Sequence, residues 1–170
     1  DLLGGVATGE TRIGIAFTEG IGARRTASVT VDSSTINGQS LFALDAEADC
    51  YLVATPDQAI YLVQADAEGL ERKSLATVDR TRSTCELSYQ NVSAERIATD
   101  SGVFNQALDH ALVAMAADTL GAAQCALDQA VAYAGQREQF NRVIASFQAV
   151  KHMCAEMAAS LEPCRSMVWY

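Results

Sequence analysis

Apolar and polar positions alternate along the first hundred residues and then change period. Over residues 11–19, Ile13, Ile15 and Phe17 fall on every second position, the spacing of a half-buried strand. The same reading predicts strands over residues 26–31, 40–44, 50–54, 59–64, 70–78 and 83–89. Thr55-Pro56-Asp57 separates two of them as a turn, and residues 31–38 give two polar turns, the latter with the Asn37-Gly38 signal of a tight hairpin. Beyond about residue 101 the spacing becomes helical. Leu108, Leu112, Met115, Thr119, Leu120, Ala123, Leu127, Ala130 and Ala134 share a broad stripe over residues 103–136. The pattern breaks around Asn141. A second helix is predicted from about residue 147 to the end, with Ala149, Val150, Met153, Met157 and Leu161 as its stripe. Pro163 predicts a kink or a stop in it.

Composition follows the same division. The first part is rich in Thr, Val, Ile and Tyr, the second in Ala, Leu, Gln and Met. The expected class is α+β: a small antiparallel β-barrel or sandwich over residues 1–100, then the long antiparallel helices of an incomplete helical bundle over residues 101–170. Two helices alone cannot bury both broad apolar faces, so this half calls for more helices, from further chain or another subunit.

Charge and cysteine usage narrow the function. A net charge of −9 argues against nucleic acid or an anionic membrane as partner. No apolar run reaches the length of a membrane span, and no charged-then-apolar leader is visible, so a cytoplasmic protein is expected. The five cysteines, Cys50, Cys85, Cys125, Cys154 and Cys164, form no CxxC pair and read as small buried apolar residues in a reducing compartment. His110 and His152 lack ligand partners at metal-site spacing, so no metal is expected.

The most informative stretch joins the two helices. In Tyr133–His152, Arg137, Gln139 and Gln148 bracket Phe140 and Phe147. That grouping suits a connection holding something flat and charged; an ordinary turn with Arg137 on the helix dipole is the plainer alternative. The stretch resembles the helix-loop-helix of acyl-CoA dehydrogenases, with its R-x-x-F-G-x-x-I-x-x-x-Q pattern. Three earlier segments are similar to the same family in the same order. Residues 7–19 resemble the entry to its middle β-domain. Ile36-Asn37-Gly38-Gln39-Ser40-Leu41-Phe42-Ala43-Leu44 resembles its N-G-x-K-x-W-I-T segment, and Ala48-Asp49-Cys50-Tyr51-Leu52-Val53 its A-D-x-x-x-V. Leu87-Ser88-Tyr89-Gln90-Asn91-Val92 looks like its strand leaving the barrel.

The resemblance implies an FAD-dependent acyl-CoA dehydrogenase subunit that oxidises an acyl-CoA thioester by hydride transfer to flavin N5. It implies Phe17 and Thr18 beside the isoalloxazine, and Phe42 where a Trp often packs on the ring. Leu44 stands where a Thr often hydrogen-bonds the flavin. Arg137, Gln139, Phe140, Phe147 and Gln148 would reach the FAD of a neighbouring subunit. The implied partners are acyl-CoA, same-family subunits in a dimer or tetramer, and electron-transfer flavoprotein as acceptor. It also implies that the family's N-terminal helical domain lies before Asp1 and its last helices after Tyr170.

Several positions depart from the family pattern. T-E-P-x-A-G-S-D becomes Thr18-Glu19-Gly20-Ile21-Gly22-Ala23-Arg24-Arg25, and the two arginines read either as solvated loop charges or as contacts to the CoA phosphates. No catalytic base is assigned: the helix position that carries it in some members is Ala111, and Asp109 and His110 point elsewhere on the helix. The losses fall at the flavin and substrate face while the neighbour-reaching loop is kept. A non-catalytic partner subunit of a hetero-oligomeric enzyme, one that completes its neighbour's FAD site, is therefore the alternative. An unrelated β-barrel with a helical hairpin is the third reading.

Overall fold

The structure is a computed structural model that describes residues 2–18, 28–98 and 100–170. A short helix, α1 (Leu2–Thr8), precedes strands β1 (Ile13–Ala16), β2 (Val29–Asp32), β3 (Thr35–Leu44), β4 (Cys50–Ala54), β5 (Ile60–Gln64), β6 (Leu70–Ser74), β7 (Thr84–Ser93) and β8 (Glu95–Ala98). Helix α2 (Ser101–Gln136), strands β9 (Glu138–Gln139) and β10 (Arg142–Val143), a 3-10 turn (Ile144–Ser146) and helix α3 (Gln148–Trp169) follow. The chain divides into two compact units, residues 1–106 and 107–170.

In the first unit, eight strands form one sheet in the order β6-β7-β3-β1-β4-β5-β8, with β2 also paired to β3. The expected α+β class holds, but the sheet is mixed. β1 runs parallel to β4, from Ile13 opposite Cys50 to Ala16 opposite Val53. The reason is geometric. β3 lies antiparallel on one side of β1; the chain then reverses and enters the other side as β4, which restores the direction of β1.

The alternation read from sequence sets the core. Cys85, Leu87 and Tyr89 of β7 face inward at every second position, and Ile36, Ala43, Tyr51, Val53 and Val63 meet them. Polar groups in this core are paired. The Tyr51 hydroxyl donates to the Asp45 carbonyl at 2.9 Å, and that of Tyr89 to Ser40 Oγ at 3.2 Å. Burial pushes the Tyr51 phenol and the Cys85 thiol up from their ordinary values.

Several local expectations need correction. Asn37-Gly38 is not a turn: it lies inside β3, where Gly38 (φ +118°) sits at a register shift against β7. The β2–β3 hairpin turns at Ser33-Ser34, the first of the two polar turns expected over residues 31–38, with Ser33 at φ +56°. β8 is a strand that the sequence reading lacked. Pro163 does not stop α3, which continues to Trp169. Cys50 and Cys85 are buried as expected, but Cys125 and Cys164 are exposed.

The second unit is built on the helices. Arg165 of α3 reaches Gln124 Oε1 of α2 at 2.7 Å. Leu120, Leu127 and Ala134 of the expected stripe are buried, whereas Leu112 and Met115 are exposed, and α3 buries no residue fully. Among the described residues, no helix is long and apolar enough to cross a membrane.

Gly14 gives a sharp test of the sheet. It pairs with Tyr51 across the parallel ladder, and a Cβ there would collide with the Tyr51 ring and meet the Leu44 carbonyl at 2.8 Å. Gly14→Ala is expected to destabilise the protein by about 2–3 kcal/mol in urea unfolding; an unchanged midpoint would contradict this packing.

Candidate functional site

The sequence-predicted positions fall into two groups, one in each unit. Arg24 and Arg25 belong to neither and lie outside the described residues.

The first group gathers around the end of β1. Ile15 pairs with Leu44, and Thr18 Oγ1 donates to the Leu41 carbonyl at 2.6 Å, which carries the same register past the strand end. That register sets Phe17 across from Phe42. Ala16 and Ala43 take the buried face, so Ile15, Phe17, Phe42 and Leu44 share the outer one. Phe42 and Leu44, two residues apart on β3, are 46% and 45% exposed, an unusual outlay of apolar surface on one strand end. Phe42 has φ +57°, within a second register shift of β3 between Ser40 and Ala43. A bulky residue in the left-handed region costs about 1–3 kcal/mol. Phe17 is backed by Phe104, the fully buried first aromatic of α2, with ring centroids 5.3 Å apart. Leu44 also borders a depression of about 320 Å³ with Asp45, Thr81, Arg82 and Ser83.

The second group is a hairpin. α2 ends at Gln136, and Arg137 is the first residue beyond it. β9 and β10 pair Gln139 with Arg142 and Glu138 with Val143. Only Phe140 and Asn141 connect them, at φ +55° and +60°. Two positive φ values in succession define the type I′ turn, whose twist suits a two-residue hairpin. Asn accepts that conformation readily; Phe does not. Ile144 N donates to the Arg137 carbonyl at 2.8 Å and closes the hairpin's base.

The turn projects Phe140 outward at 87% exposure, with its ring edge-on to Phe147 at 6.1 Å. The Arg142 guanidinium lies 4.1 Å above the Phe147 ring. Phe147 is the N-cap of α3, and its side chain cannot accept the helix's first N–H groups. No acidic residue occupies the first turn, so the positive end of the helix dipole is uncompensated there. Ser146 Oγ, next to this end, is buried without a partner. Arg137 is exposed and makes no ion pair among the described residues. Gln139 Nε2 donates to the Glu138 carbonyl at 2.7 Å, and Gln148 Nε2 lies 2.8 Å from His152 Nε2.

The hairpin thus offers a cationic fork, free helix N–H groups, an exposed aromatic face and a primary amide. That set suits an elongated anion carrying a flat apolar part. Phe104, Arg142, Ser146 and His152 were not singled out for this role from sequence. Phe104 carried the only available signal, as a lone aromatic at the start of an Ala-rich helix.

Comparison with known proteins places these features in context. Residues 101–170 match the family model described as acyl-CoA dehydrogenase, C-terminal domain. The chain is 34% identical over 121 residues to the acyl-CoA dehydrogenase IpdE2 of Mycobacterium tuberculosis, a match covering 71% of this chain and 35% of that protein. It is 41% identical over 92 residues to the probable acyl-CoA dehydrogenase FadE25 of the same organism, covering 51% of this chain and 24% of FadE25. Among solved structures, a variant of the steroid ACAD Tcur3481-Tcur3483 superposes with a TM-score of 0.83 at 30% identity, over 99% of this chain and 48% of that one. The chain therefore spans between a quarter and a half of the length of the relatives it matches.

The turn geometry predicts opposite responses at one residue. Asn141→Val forces a β-branched side chain to positive φ and should speed hydrogen exchange at the hairpin amides by roughly tenfold. Asn141→Gly should slow it. Equal exchange in both variants would exclude a type I′ turn.

Proposed function

Because this chain belongs to the acyl-CoA dehydrogenase family, we propose that it forms part of an FAD-dependent acyl-CoA dehydrogenase and that its hairpin grips a dinucleotide seated mainly in a sister subunit. The observation that carries this reading is Phe140, held at φ +55° and 87% exposed in a hairpin that also carries Arg137, without an ion pair among the described residues, and leads into an uncapped helix end. A strained aromatic that is 87% exposed gains only an edge contact to Phe147 within its own unit. Its conformation is maintained where a partner surface covers it.

The residues fit FAD in kind. Arg137 and the first N–H groups of α3 provide donors for a pyrophosphate, the Arg as a planar fork. Phe140 supplies a flat apolar face and Gln148 an amide that both donates and accepts. Gln139 and Phe147 shape the hairpin that presents them. In the other unit, Phe17, Thr18, Phe42 and Leu44 form a wall suited to an isoalloxazine, with Thr18 anchored on Leu41. A bound flavin would supply the hydride-accepting chemistry that oxidation of an acyl-CoA thioester needs. The chain's own part is to align that ring, cover it with apolar side chains and exclude water. No residue of this chain is proposed as the base. Arg24 and Arg25 are proposed to meet the phosphates of acyl-CoA, with electron-transfer flavoprotein as the acceptor.

A second reading is favoured by Leu44. An exposed alkyl group at this wall can pack on a flavin but cannot hydrogen-bond it. The hairpin meanwhile keeps its full polar set. A subunit of this kind would complete its neighbour's site while holding its own flavin weakly, and the steroid ACAD carries a double designation, Tcur3481-Tcur3483.

Flavin absorbance of the purified, fully assembled protein tests the proposal. FAD is expected to co-purify, and Arg137→Ala should weaken its binding by about ten- to a hundredfold, the loss of a charge-assisted hydrogen bond. Assembled protein free of flavin, or unchanged affinity in the Arg137 variant, would refute it. One FAD per protomer in protein made from this chain alone would exclude the partner-subunit reading.

A further inference from the structure

We infer that His152 is a positioning residue that sets the orientation of the Gln148 side-chain amide, so that one imidazole proton decides whether α3 opens with an outward acceptor or an outward donor. This rests on the reading above that the hairpin holds FAD. The two side chains lie one turn apart on α3, with Gln148 Nε2 2.8 Å from His152 Nε2. A primary amide nitrogen only donates, so the imidazole nitrogen facing it must accept. The ring is then neutral, with its proton on Nδ1, and Gln148 Oε1 is turned away from it. An imidazolium has two donors and no acceptor. On protonation the amide must rotate by half a turn, giving Oε1 to His152 and turning its NH₂ outward. The pair persists, but what Gln148 presents is reversed.

The reversal matters because of what surrounds it. Arg137 and the uncapped α3 terminus already supply donors. The Gln148 oxygen is the acceptor among the groups assigned to the ligand, suited to a ribose hydroxyl or an adenine amino group. The ionisable groups on α3 besides His152 are Lys151, Cys154, Glu156, Glu162, Cys164 and Arg165; the hairpin carries Arg137, Glu138 and Arg142, and the last three turns of α2 carry Asp128 and Tyr133. Histidine is the one side-chain type that ordinarily changes charge between about pH 5 and 8. The other histidine, His110, lies roughly 39 Å back along α2 from Gln136 at the usual helical rise.

The test is the dissociation constant of FAD, read by flavin fluorescence on the assembled protein reconstituted from its apo form, between about pH 5.5 and 8. Wild-type affinity should fall about three- to tenfold as pH is lowered, one hydrogen bond being lost. His152→Gln, which keeps a neutral partner, should bind within about twofold of wild type at the upper pH and show no pH dependence. His152→Leu should be about threefold weaker there and equally flat, with the same unfolding midpoint as His152→Gln. Affinity that is flat in wild type overturns the inference. So does affinity that rises on acidification, the signature of a bare charge acting on the phosphates, or a pH dependence that survives in His152→Gln. If the assembled wild-type protein binds no FAD at any pH, the hairpin's assignment falls and this inference with it. Tight FAD binding without the histidine effect overturns only the inference.

Discussion

A type I′ connection between antiparallel strands places both of its residues in the left-handed region, and the candidate site hangs on that turn. Phe140 and Asn141 form it at φ +55° and +60°. With the turn in place, the hairpin's base closes through Ile144 and Arg137, and Phe147 is held between an aromatic edge and a guanidinium. α3 then starts without a side chain over its first N–H groups. A longer, relaxed loop would release Phe140 from its outward position and let the chain cap its own helix. The stored strain and the exposed donors are two results of one constraint.

The sheet shows the same economy in another form. Positive φ at Phe42 and Asn91, neither of them glycine, coincides with irregular pairing along β3 and β7. In β7 the displacement lets Val92 keep the core face after Cys85, Leu87 and Tyr89 have used the regular alternation. In β3 it brings Phe42 and Leu44 to the outer face while Ala43 stays buried. The Phe104 ring then packs against Phe17. The outer apolar wall is therefore not a patch of surface left uncovered. It is held by that aromatic contact at one end and by the Thr18–Leu41 bond beside it.

The long-period features were legible from residues alone. α2 announced itself through a stripe of alanine and leucine, and the central strands through alternating Val, Ile and Tyr. What escaped was short or context-bound. β9 and β10 have two residues each, too few for any period to register. Asn37-Gly38 has the composition of a hairpin turn, but the strand runs through it because β7 pairs on both sides. Pro163 is tolerated within α3, where sequence rules favour a break. Exposure of Cys125 and Cys164 could not be read either, since a helical cysteine gives no sign of which neighbour faces it. In the site, Arg137, Phe140 and Gln148 were visible as residue types at a spacing. The His152–Gln148 bond was not, because two polar residues one turn apart on a helix are commonplace until their atoms are seen to meet.

The placement of β1 has a consequence for how the chain acquires its shape. This strand precedes the other seven in sequence yet lies inside the finished sheet, flanked by β3 and β4. Both neighbours follow it in the chain, so it gains its first partner only when β3 is made and its second only when β4 is. Every pairing of these four residues, Ile13–Ala16, is therefore made with later chain. The sheet is completed around its first-made strand rather than grown outward from it, and such non-local pairing is the kind that slows folding.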